Sequence, residues 1–144
     1  MNRDLKAIKS ININASAAEV WNALTNPDKI KIYLFGTETL TDWKVGNTIV
    51  FQGEYNGQTY KDKGLVLKNE PNEELSYAYW SGFSGLEDKP ENYSIVTYRI
   101  RNQGENQVEF TWTQAGFSTK EGQQHSQNGL GTLLEQIKKV AEDN

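Results

Sequence analysis

Apolar and polar positions alternate with a period of two along most of this chain, and helical spacing takes over only near its two ends. Leu5 to Ile13 sets Leu5, Ala7, Ile11 and Ile13 on one face, interrupted by Lys9, and predicts a half-buried strand. Ser16-Ala-Ala-Glu19 reads as a capping box. The Ser16 hydroxyl accepts from the N–H of Glu19, and the Glu19 carboxylate accepts from the N–H of Ser16. Behind it Ala17, Val20, Trp21 and Leu24 fall at helical spacing on one face. Asn26 and Pro27 restart a helix as cap and first residue, and this second helix runs to about Leu34 and stops near Gly36.

The middle of the chain reads as antiparallel strands. Thr48 to Tyr55 puts Ile49, Phe51, Gly53 and Tyr55 on one face, with Thr48, Val50, Gln52 and Glu54 opposite. Asn56-Gly57 is a strong hairpin signal, because a type I′ turn needs positive φ at both central residues. The return strand runs from Gln58 to about Asn69, and Leu75 to Trp80 follows. Gly82 to Pro90 is a loop. Tyr93 to Arg101 carries Val96, Tyr98 and Ile100 inward, a turn follows near Gln103-Gly104, and Val108, Phe110 and Trp112 alternate with polar neighbours. One wet face per strand is the signature of an antiparallel sheet. The final helix has a stripe of Leu130, Leu133, Leu134, Ile137 and Ala141, which becomes polar when extended back through Gln127, Ser126 and Gln123. Its C-terminal half is expected on the sheet, and its N-terminal half against solvent or a lined cavity. Gly129 and Gly131 each cost the helix roughly 1 kcal/mol against alanine, and are expected to mark a bend or a close approach.

Composition narrows the function classes. At 144 residues the chain is expected to fold as a single domain, with about two-thirds of its unfolded surface buried. It has no cysteine, so disulfides, thiolate metal sites and a cysteine nucleophile are excluded. Its apolar runs are too short for a membrane span or a signal-peptide core, and a cytoplasmic location is expected. A net charge of −4 weighs against nucleic acid. His125 is the only histidine, which excludes histidine clusters; on a helical projection it falls well off the apolar stripe and is expected in solvent. No metal-ligand spacing and no nucleophile elbow occurs, and no cofactor is expected.

Several segments together resemble the START-like, or helix-grip, superfamily, in the branch related to the activator of the heat shock protein 90 ATPase. They are Ser16-Ala-Ala-Glu-Val-Trp-Asn-Ala-Leu-Thr25 with Pro27, Val45-Gly-Asn-Thr-Ile-Val-Phe51, Gly64-Leu-Val-Leu67, Glu70-Pro-Asn-Glu-Glu-Leu75, and Gly129-Leu-Gly-Thr-Leu-Leu-Glu-Gln-Ile-Lys138. The resemblance spans about Leu5 to Glu142. It implies an α+β helix-grip fold over residues 1–144, a curved antiparallel sheet around a long C-terminal helix. Members of the superfamily commonly bind a hydrophobic ligand between sheet and helix; some act as co-chaperones, others as cyclases or hydrolases. Tryptophan often stands in the family where this chain has Leu130, which implies a reshaped pocket, and the Gly-rich loop of the plant allergen relatives is absent.

The expected site is a cavity walled by Phe51, Tyr55, Tyr77, Tyr79, Tyr98, Phe110, Trp112 and Leu130, with Gln114, Gln123, Ser126 and Gln127 as polar contacts. Buried tyrosines need hydroxyl partners, and a polar-tipped cavity would answer that need. The first expectation is therefore a monomeric protein holding a hydrophobic or aromatic small molecule or lipid. The second is a domain docking on a heat shock protein 90 type ATPase. The third is a cyclase- or hydrolase-type enzyme; with no catalytic set legible, it would need Glu54 or Asp62 to point inward against the alternation.

Overall fold

The computed structural model describes residues 1–143. Its helices form where the caps place them. In α1 (Ala17–Thr25) the Ser16 hydroxyl accepts from Glu19 N at 3.1 Å, and Glu19 Oε1 accepts from Ser16 N at 3.0 Å. Asn26 caps α2 (Pro27–Tyr33) through Asp28 N, and the chain leaves it through Phe35 and Gly36, both at positive φ. Val20, Ala23, Leu24, Ile30 and Tyr33 from these two helices are buried.

The strands are β1 (Asn2–Ile13), β2 (Glu38–Leu40), β3 (Thr48–Tyr55), β4 (Gln58–Glu70), β5 (Glu74–Trp80), β6 (Ser94–Gly104) and β7 (Gln107–Phe117). They form one antiparallel sheet in the order β1-β7-β6-β5-β4-β3-β2. With α3 (Lys120–Glu142) against it, this is the α+β helix-grip architecture. Strand β2 is too short to show a period in the sequence. The Gly82–Pro90 segment includes a 3₁₀ turn at Gly82–Ser84, with a second at Pro90–Asn92. Strand β6 runs past the expected turn at Gln103-Gly104; the chain reverses one step later, where Asn106 takes φ 53°.

Helix α3 buries Leu130, Leu134, Ile137, Val140 and Ala141. Each of the four larger side chains so buried contributes about 1.5–3 kcal/mol. The helix packs chiefly on β1, with α1, α2 and β7 contributing less. Its polar N-terminal half serves β1, a sheet edge with unpaired backbone groups. Gln127 accepts from Ile8 N at 2.9 Å and donates to Ile8 O at 2.7 Å, as a neighbouring strand would. Gln123 donates to Lys6 O at 2.7 Å.

Neither helix glycine is held by crowding: a Cβ on Gly129 meets nothing within 4 Å, and one on Gly131 meets only the end of the Lys9 side chain at 3.8 Å. Gly64 differs, since a Cβ there would lie 2.9 Å from the Ala78 carbonyl oxygen. Gly129→Ala is therefore expected to stabilise the fold by about 1 kcal/mol and raise the melting temperature by about 3 °C. Gly64→Ala is expected to lower it. Thermal unfolding of the two variants beside the parent protein checks both signs.

Candidate functional site

Because α3 lies over the β1 end of the sheet, the inner faces of β3, β4 and β5 extend beyond it. Antiparallel register brings residues directly opposite each other onto the same face. Phe51 pairs with Asp62, Gly64 with Tyr79, Val66 with Tyr77, and Tyr77 with Val96. The inward set on β4 is thus Tyr60, Asp62, Gly64 and Val66, while Lys61 and Lys63 point to the outer face.

Above this uncovered floor lies a cavity of about 490 Å³. Phe51, Glu54 and Tyr55 of β3, Tyr60 and Asp62 of β4, and Tyr77 and Tyr79 of β5 line it. Val96, Trp112, Gln114, Leu133 and Ser81 complete the walls, and Leu34, Phe35, Thr37 and Phe83 close the end near α2. The mouth is apolar: Phe35 is 82% exposed, Tyr55 66% and Phe83 63%. Phe35 also holds φ 51°, a conformation that costs a bulky residue energy and aims its ring out of the α2 terminus. A Tyr60 hydroxyl bond to Thr37 ties β4 to the segment after α2.

The rings interlock on one side. Tyr98 lies 4.6 Å from Trp112 and 5.6 Å from Tyr77 between ring centroids, and Phe51 meets Tyr79 edge-on at 5.8 Å. The Tyr77 and Tyr98 hydroxyls bond each other at 2.6 Å, and Tyr79 donates to Asp62 Oδ2 at 2.7 Å. Protein groups thus answer the tyrosine hydroxyls, contrary to the expectation that a cavity would have to. Burial pushes the hydroxyls of Tyr77, Tyr79 and Tyr98 well above the usual tyrosine range, and the Asp62 carboxylate pushes Tyr79 further. All three therefore stay protonated donors near neutral pH.

Two residues that line the cavity each carry a fully buried polar atom with no partner among the described residues: Asp62 Oδ1, an acceptor, and Trp112 Nε1, a donor. Asp62 is only 7% exposed. Its inward orientation corrects the alternation reading that would have left it outside. Glu54 is exposed and lines the rim, where the strongly twisted end of the β3–β4 ribbon brings both it and Tyr55 to the mouth.

Of the residues expected at the site, Phe51, Tyr55, Tyr77, Tyr79, Trp112 and Gln114 come together on the cavity wall. Gln114 donates to Ser94 Oγ at 3.1 Å. Tyr98 packs behind the wall against Trp112 and Phe110, and Phe110 and Leu130 belong to the core. The structure sets Gln123 and Gln127 on the β1 edge rather than in the cavity, and Ser126, half-buried on the same half of α3, does not line it. From α3 it is Leu133 that reaches the wall. Asp62, Tyr60, Phe35 and Phe83 were not legible as wall residues; the Phe51–Asp62 register was the available signal, once Asn56-Gly57 fixed the hairpin. His125 is exposed. No group of three histidine or carboxylate side chains converges as a metal site among the described residues, and no helix there is long and apolar enough to cross a membrane.

An antiparallel sheet curled over a C-terminal helix, with a ring-walled hollow beyond the helix, defines a helix-grip domain. The chain belongs to the family described as Activator of Hsp90 ATPase homolog 1-like protein, whose model matches residues 14–142. A Cytophaga hutchinsonii protein solved in solution is 40% identical, with a TM-score of 0.82 over 99% of this chain and 97% of its own. Two more distant structures share the fold. The Aha1 dimer from Colwellia psychrerythraea is 20% identical with a TM-score of 0.71, covering 95% of this chain and 96% of its own. An HSP90 activator from Plasmodium falciparum is 15% identical with a TM-score of 0.74, covering 94% of each chain. No curated protein matches this chain.

The paired hydroxyls give a stability test. Tyr77→Phe strands the Tyr98 hydroxyl and is expected to cost about 1–3 kcal/mol. Tyr77→Phe combined with Tyr98→Phe is expected to recover most of that loss, because neither partner is then left behind. Urea unfolding of the single and double variants measures the difference.

Proposed function

We propose that this protein binds a small molecule with an apolar, ring-bearing body in the cavity between the sheet and α3. One observation carries the reading: about 490 Å³ of space is walled by eight aromatic residues, and two of the lining residues, Asp62 and Trp112, each carry a buried polar atom without a partner among the described residues. Apolar walls with a few placed polar groups are the usual make-up of a ligand site. The exposed rings of Phe35, Tyr55 and Phe83 at the mouth supply an apolar entrance.

Titration with a panel of fused-ring aromatics and medium-chain lipids, followed by the NMR signal of the Trp112 indole N–H, tests it. At least one class is expected to shift that signal and saturate it. Leu133→Trp, which fills the wall from α3, is expected to weaken that binding by about tenfold or more while leaving the spectrum folded. A panel that moves nothing rules the reading out.

A second reading follows from family membership: docking on a chaperone ATPase of the heat shock protein 90 type. Its support is the family itself and the shared fold of the Plasmodium falciparum HSP90 activator. Purified protein added to the ATPase of its own source organism is expected to raise turnover if this reading is right, and to leave it unchanged if it is wrong.

A further inference from the structure

The lining of the cavity has a sign. Two carboxylates, Asp62 inside and Glu54 at the rim, contribute to it, and no lysine, arginine or histidine does among the described residues. The lysines flanking Asp62 in sequence, Lys61 and Lys63, point to the opposite face of β4, where Lys63 pairs with Asp88 at 2.7 Å. Asp62 therefore sits against rings with one oxygen held by Tyr79 and the other without a donor from any described residue. A buried carboxylate oxygen left without a donor is costly, and a charged donor answers it best. The faces of Phe, Tyr and Trp rings attract organic cations by their quadrupoles, so the same walls suit a positive charge. An anionic guest would meet two like charges and no counter-ion.

We infer that the cavity selects an organic cation: a protonated primary or secondary amine on a ring-bearing apolar body, its N–H directed at the Asp62 carboxylate. This inference rests on the cavity reading above and adds the charge and donor that the guest must carry. A primary or secondary ammonium fits better than a quaternary one, because only the former has an N–H for the carboxylate. Tyr79 holds the carboxylate in place from its other side.

Three probes of matched shape test the inference on the full chain at neutral pH: 2-naphthylmethylamine, 2-naphthylmethanol and 2-naphthoate. Each is titrated while the Trp112 indole signal is followed. The amine is expected to bind about 10- to 100-fold more tightly than the alcohol, and the carboxylate most weakly. Asp62→Asn keeps the shape of the side chain and removes its charge. It is expected to erase the preference for the amine over the alcohol. Equal affinity of amine and alcohol for the parent protein overturns the cation inference and leaves the cavity reading standing, since both have bound. An amine preference that survives Asp62→Asn in a folded variant overturns the role of Asp62. The ranking on the parent protein needs no variant, so it decides the question even if Asp62→Asn fails to fold. Silence from all three probes and from the wider panel overturns the cavity reading itself.

Discussion

One helix cannot cover the concave face of a seven-stranded sheet, and this mismatch of area governs the rest of the molecule. Helix α3 spends its apolar stripe on the β1 side of the sheet, with α1 and α2 filling in beside it. The inner faces of β3, β4 and β5 are left with rings but no helix above them. A dry core would have closed over such rings, because burial of aromatic area is strongly favourable. Here the space over them stays open, because no element of the chain is left to cover it. The hollow and its two polar atoms are thus consequences of one arrangement.

The position of α3 is itself fixed at both ends. Its C-terminal half is held by Leu130, Leu134, Ile137 and Ala141 in the core. Its N-terminal half is held by Gln123 and Gln127, which satisfy the backbone of β1 as another strand would. An exposed edge with free N–H and C=O groups invites pairing with other chains, and the two glutamines blunt it at Lys6 and Ile8. The polar face that the stripe acquires toward its start is therefore structural, and polar groups of the cavity lining come from β3, β4 and β7 instead.

Family membership and cavity chemistry are separate kinds of observation on this protein. The chain belongs to the family described as Activator of Hsp90 ATPase homolog 1-like protein, over residues 14–142. The cavity concerns the inner face, and its acidic, ring-rich lining belongs to this chain's own residues.

Local chemistry determined much of what the sequence alone made legible. Ser16 with Glu19, Asn26 with Pro27, and Asn56 with Gly57 act within a few residues, so helix starts and the β3–β4 hairpin could be read directly. Alternation in β6 and β7 identified Val96, Tyr98, Ile100, Val108, Phe110 and Trp112 as inward because each face meets one environment along the whole strand. Only the tertiary structure decided which inward rings border open space and which, like Phe110, are packed solid. It also showed Asp62 beside Phe51 on the inner face, a register that the Asn56-Gly57 turn implies and the polarity of β4 hides. Likewise Gln123 and Gln127 lie on a polar face that any helix could show, and only the distant β1 edge tells what that face meets.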